Sequence, residues 1–124
     1  MFLSNSQQQK HYYSILEIEH FQIKMFIVIY RFSVKAKEHD QFKKAWKELT
    51  KLILNYSGSY GSRLHKENDS TFIAYAQWPD EISWKMGFDK LPKQADIFSK
   101  QMQNSCDKIE TIHKMDVVED LLEK

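Results

Sequence analysis

An α+β subunit of the ferredoxin-like class, built on a four-stranded antiparallel sheet, follows from two observations in this 124-residue chain. The segments MFIVIYRFSV, EHDQFKKAWKELTKLILNY, GSYGSRLHK and TFIAYAQW read in turn as strand, amphipathic helix, strand and strand. That β-α-β-β order is half of a ferredoxin-like unit and predicts more helix and a closing strand. Both faces of the implied sheet carry apolar or aromatic side chains. One face therefore takes the helices and the other a second copy of the subunit, which predicts a homodimer.

The first strand runs from about Met25 to Val34. Alternation puts Phe26, Val28, Tyr30, Phe32 and Val34 on one side and Ile27, Ile29, Arg31 and Ser33 on the other. The first helix spans about Glu38 to Tyr56. Phe42, Ala45, Trp46, Leu49, Ile53 and Tyr56 fall on one stripe with Leu52. Lys43, Lys44, Lys47 and Lys51 lie among acids on a solvated face. Gly58 stands where a left-handed residue ends a helix. The second strand covers about Ser59 to His65, KENDS forms a hairpin loop, and the third strand is Thr71 to Trp78. Pro79 and Asp80 open a short helix that Gly87 and Pro92 interrupt. A further helical stretch from about Pro92 to Asp107 presents Ala95, Phe98, Met102 and Cys106. The last strand, from Lys108 to about Val117, alternates Ile109, Thr111, His113 and Met115 against Glu110, Ile112 and Lys114. Leu121 and Leu122 follow it and are expected to dock on the partner.

Composition narrows the function classes. Hydrophobic content of 42% and aromatic content of 14% mark a globular domain. A net charge of +1 gives no field that would draw nucleic acid or a membrane surface. No apolar run reaches the roughly 18 residues a membrane span needs. The opening MFLSNSQQQKHYY lacks the pattern of a signal peptide. The single cysteine, Cys106, rules out an intramolecular disulfide and suits a reducing compartment, so a cytoplasmic location is expected. Residues 1–24 read as an N-terminal arm, with 1–10 mobile and Ile15 to Ile23 packed on the domain or the partner. Residues 25–124 form the domain. His11, His20, His39, His65 and His113 are scattered, and none pairs at a metal-ligand spacing, so no metal site is expected.

Small residues locate a candidate site. Ser62, Ala74 and Ala76 sit among large neighbours on the helix-facing side. They leave room for a flat aromatic ligand lined by Tyr30, Tyr60, Phe72 and Trp78, with Trp46, Trp84 and Phe98 from the helices. Larger helix side chains could equally fill that room. The opposite face collects Arg31, Arg63, His65, Tyr75, Gln77 and His113, which suit inter-subunit hydrogen bonds or an anionic group.

FIVIYRFSV, GSYGSRLHK and AYAQWP with Trp84 following resemble the antibiotic biosynthesis monooxygenase family. The resemblance covers about Met25 to Asp120. It implies a ferredoxin-like subunit whose dimer forms an α+β barrel. Known members include cofactor-free monooxygenases that oxidise anthrones or quinols with O₂, and haem-degrading enzymes. The haem-degrading pattern has an asparagine on the first strand, a tryptophan and a later histidine ligand. Here Tyr30 stands at about the asparagine position, Trp84 matches the tryptophan, and no histidine lies between Pro92 and Lys108. The resemblance thus implies oxidation of a small quinol- or anthrone-type aromatic without cofactor. That chemistry needs a base to deprotonate the phenol. Tyr30, Tyr60 and His65 are the candidates, His65 only if Gly61 breaks the strand's alternation. The alternative is a non-catalytic dimeric ligand-binding or stress-related module of the same fold.

Overall fold

The computed structural model describes residues 24–123. The expectations for residues 1–10 and 15–23 lie outside the described residues. Strand β1 (Phe26–Val34) leads into helix α1 (His39–Tyr56), followed by strands β2 (Gly61–Lys66) and β3 (Thr71–Trp78). Helix α2 (Glu81–Gly87), a 3₁₀ turn (Phe88–Lys90), helix α3 (Ala95–Asn104) and strand β4 (Cys106–Asp116) complete the order. The sheet runs β2-β3-β1-β4, every neighbouring pair antiparallel. This is the ferredoxin-like α+β arrangement, with β1 and β3 at its centre.

Directly opposed residues share a face of a sheet. Phe26 lies opposite Trp78, Tyr30 opposite Ala74 and Phe32 opposite Phe72. Ser62 on β2 lies opposite Ala76. These side chains meet the helices. From α1, Phe42, Ala45, Leu49 and Leu52 are buried, as their spacing requires. The Phe42 ring sits 5.0 Å from Phe32 and 5.2 Å from Phe72, centroid to centroid. Tyr56, expected on the same stripe, is instead exposed. The helix ends on it, and Gly58 at φ +76° turns the chain away at once. Asp80 caps α2 by accepting from the Ser83 backbone N–H at 2.8 Å. That bond holds the Asp80 carboxyl below the ordinary carboxylate range.

Two expectations about the C-terminal third need correction. Cys106 is the first residue of β4, not part of the preceding helix. Ser105 ends α3, its N–H donating to Gln101 O at 3.1 Å and Met102 O at 3.2 Å. The Lys35 N–H then bonds Ser105 O at 2.9 Å, which draws Cys106 alongside Val34. Cys106 packs with Phe32, Val34 and Phe42, and burial pushes its thiol up from 9.0 to about 11.

Strict alternation over Ile109 to Met115 also fails. Tyr30 pairs with Thr111 while Ile29 pairs with His113, so Ile112 is an extra residue in a bulge. The bulge reverses the parity beyond it. Lys114 now lies opposite Val28 on the helix side, and His113 and Met115 lie opposite Ile29 and Ile27 on the other.

Two neighbouring rows cross the middle of the face turned from the helices. One is Arg63, Tyr75, Ile29 and His113; the other is His65, Ile73, Arg31 and Glu110. Arg31 Nε donates to Glu110 Oε1 at 3.1 Å, and Lys108 Nζ lies 3.3 Å from Glu110 Oε2. The bond from Arg31 is the leading reason that the Glu110 carboxyl lies below its usual range.

Candidate functional site

The small residues on β2 and β3 do leave space. A cavity of about 340 Å³ opens between the sheet and the helices. That volume is in the range of small-molecule sites. Ser62, Ala74 and Ala76 form part of its floor, and Trp46, Leu49 and Ile53 of α1 part of its roof. Tyr30, Phe32 and Trp78 complete the aromatic wall from the strands. The hydroxyl protons of two wall serines are already used. Ser62 Oγ donates to Tyr75 O at 3.0 Å, and Ser59 Oγ to Gln77 O at 3.3 Å.

Tyr30 carries the most constrained polar group. Trp84 Nε1 donates to Tyr30 Oη at 2.7 Å across 54 positions of sequence. Several contacts hold Trp84 in place. Its ring packs against Phe26 at 6.0 Å, and the Lys114 ammonium lies 5.6 Å from the indole centroid. Lys114 reaches that position because the Ile112 bulge turned it to the helix side. Glu81 Oε2, 3.9 Å away, balances its charge. Burial raises the Tyr30 phenol above 10.0, and the Trp84 bond works in the other direction.

Trp78 is fixed from behind. Gly87 at the end of α2 lies so close that a Cβ there would fall 2.7 Å from Trp78 Cη2. Ser57 Oγ donates to Gly87 O at 2.5 Å and ties α1 to the same point. Trp78 is 2% exposed, and its Nε1–H has no partner among the described residues.

The structure gathers some of the residues picked out from sequence and separates others. Tyr30, Trp46 and Trp78 line the cavity, with Trp84 bonded to Tyr30. Phe72 is buried in the aromatic cluster around Phe42. Phe98 packs beside Leu49, Leu52 and Ala95. Tyr60 and His65 are not with Tyr30. They line a separate hollow of about 420 Å³ with Arg63, Tyr75, Gln77 and Leu122. Gly61 adopts φ +109° but does not shift the strand's parity, so His65 stays opposite Ile73 and its Nδ1 lies 3.2 Å from Ile73 O. Phe88, Met102 and Gln103 also line the cavity. Met102 was legible from its helical spacing. Phe88 follows the glycine that was read only as a helix break. No group of three or more possible metal ligands occurs among the described residues. No described helix is long and apolar enough to cross a membrane.

The family profile described as antibiotic biosynthesis monooxygenase matches residues 25–86, half of the chain. No curated protein matches the sequence significantly. Among solved structures, the fold is similar to SnoaB, a cofactor-independent oxygenase from Streptomyces nogalater. The TM-score is 0.66 at 13% identity, covering 81% of this chain and 99% of that one. Rv0793 from Mycobacterium tuberculosis gives 0.64 at 9% identity, over 79% and 99% of the two chains. A conserved protein from Methanosarcina mazei gives 0.62 at 18% identity, over 74% and 94%.

Proposed function

This chain belongs to the antibiotic biosynthesis monooxygenase family, and from that premise we propose that it is a cofactor-free monooxygenase oxidising a small quinol- or anthrone-type aromatic with O₂. The observation that carries the proposal is the cavity between sheet and helices. Trp46 and Trp78 offer it broad aromatic surfaces, and the small residues Ala74 and Ala76 keep its floor low. Such a site suits a flat aromatic ring system, which gains from dispersion and from loss of hydration. Tyr30 is the proposed reactive-site residue, supported by Trp84. Tyr60 and His65, on the other face, have no part in this site. The cofactor-independent oxygenase with the similar fold supports the same class of chemistry.

The assembly is proposed to be a homodimer formed by the face turned from the helices. Ile29, Ile73, Tyr75 and Met115 make that face apolar, and Arg31 with Glu110 supplies a paired polar element. A reduced, buried Cys106 fits the proposed cytoplasmic setting.

Intrinsic fluorescence tests the cavity reading. All three tryptophans of the chain lie in or beside the cavity. Titration with a naphthoquinone should quench most of their emission and saturate at one equivalent per subunit. Quenching that rises linearly without saturation would show collisions only, and the cavity would lose its role as a binding site.

A further inference from the structure

We propose that Tyr30 donates a hydrogen bond to an oxygen of the bound aromatic and holds that oxygen in its ionised form, with Trp84 acting as the positioning residue that sets the direction of the Tyr30 hydroxyl. The inference rests on the cavity reading above and specifies what the substrate must present: an aromatic bearing an ionisable hydroxyl.

An indole N–H can only donate. At 2.7 Å from Tyr30 Oη, Trp84 Nε1 therefore makes that oxygen the acceptor. The phenolic proton of Tyr30 must be directed elsewhere, and no described residue accepts it. Tyr30 forms part of the cavity wall. A hydroxyl that accepts a hydrogen bond becomes a better donor, because the two bonds polarise each other. The Lys114 ammonium near the Trp84 ring withdraws density from the indole and strengthens the first bond in the chain. Burial keeps Tyr30 protonated at neutral pH, so it arrives as a donor and not as a base.

A second wall residue has the same sense. Trp78 is almost fully buried, and its Nε1–H lacks a partner among the described residues. A buried unpaired donor is costly unless a ligand supplies the acceptor. The Ser59 and Ser62 protons are committed to β3 carbonyls, whereas Tyr30 and Trp78 are two wall donors left without an acceptor among the described residues. Donors facing an apolar volume stabilise negative charge on oxygen more than they would in water. They match the phenolate of a quinol better than a neutral hydrocarbon.

The test uses 4-nitrophenol, whose ionisation is read directly from its absorbance, bound to the full-length protein. Hydrogen bonding to the phenolate should make the bound pKa about one unit lower in wild type than in Tyr30→Phe, a tenfold ratio. Trp84→Phe keeps a ring against Phe26 and loses the N–H, and should give a bound pKa between those two. Nitrobenzene, which lacks the hydroxyl, should bind wild type and Tyr30→Phe equally. Equal bound pKa values for nitrophenol in wild type and Tyr30→Phe would overturn the donor role while nitrobenzene binding upheld the cavity. A Trp84→Phe value equal to wild type would overturn the positioning role. Failure of both probes to bind would overturn this inference together with the cavity reading.

Discussion

Phe42→Ala is expected to lower the stability of the subunit by about 3–5 kcal/mol. Phe42 is completely buried and is the side chain of α1 that enters the cluster made by Phe32 on β1 and Phe72 on β3. Truncation removes the transfer free energy of the ring and leaves a void between α1 and a sheet whose backbone is held by its strand pairing. Such a site collapses poorly, which places the cost at the upper part of the range. The denaturant midpoint should fall while the slope stays the same, because the folded subunit buries a similar surface. A loss below about 1 kcal/mol would show that the cluster is not the main support of α1. The position also matters for the cavity. Phe32 belongs both to this cluster and to the cavity wall, so a slack cluster would loosen the wall.

Ile29→Glu should convert the protein from dimer to monomer. Ile29 lies at the centre of the face turned from the helices, between Tyr75 and His113. In a two-fold symmetric contact each substitution occurs twice. An unpaired carboxylate taken into an apolar interface carries a desolvation cost of several kcal/mol. Within one subunit Ile29 is only half-buried, so the variant should still fold. Sedimentation of wild type is expected at twice the 14.9 kDa chain mass, and of the variant at the chain mass. A monomeric wild type, or a variant that remains dimeric, would remove this face from the assembly.

Local pattern made most of the fold legible. The third strand was read with the bounds it has, since TFIAYAQW is bracketed by a polar loop and by Pro79. The first helix was clear because its apolar stripe is continuous from Phe42 to Ile53. The errors arose where long-range pairing overrode local pattern. Cys106 continues a helical stripe in sequence but is drawn into β4 by pairing with Val34. Nothing in KIETIHKM marks Ile112 as the bulged residue; only its fit against β1 does so. That bulge decides which side Lys114 and His113 occupy, and so lies behind the contact of Lys114 with Trp84.

The candidate site was half legible for the same reason. Small residues among large ones on β2 and β3 revealed the space, Tyr30 and Trp78 followed from strand parity, and Trp46 followed from the helical stripe. Tyr60 was misassigned because it precedes β2, on a turn where Gly58 and Gly61 both take positive φ and alternation has no force. The Tyr30–Trp84 bond joins residues each noticed from sequence, but their pairing depends on how α2 sits against β1. Sequence offered no signal for the unpartnered Trp78 N–H, which depends on what the finished fold places around it.

The cavity between sheet and helices is expected to oxidise a small aromatic with O₂, and O₂ consumption with isotopically labelled gas measures that reaction. The metal-free protein would be given a panel of anthrones and hydroquinones. With an anthrone, one oxygen atom of O₂ should appear as the new carbonyl and the other as water. The expected result is catalytic O₂ uptake with label in that carbonyl, slowed in Tyr30→Phe. Saturable binding of the aromatics with no O₂ consumed for any of them would contradict the claim and leave a ligand-binding module without the chemistry.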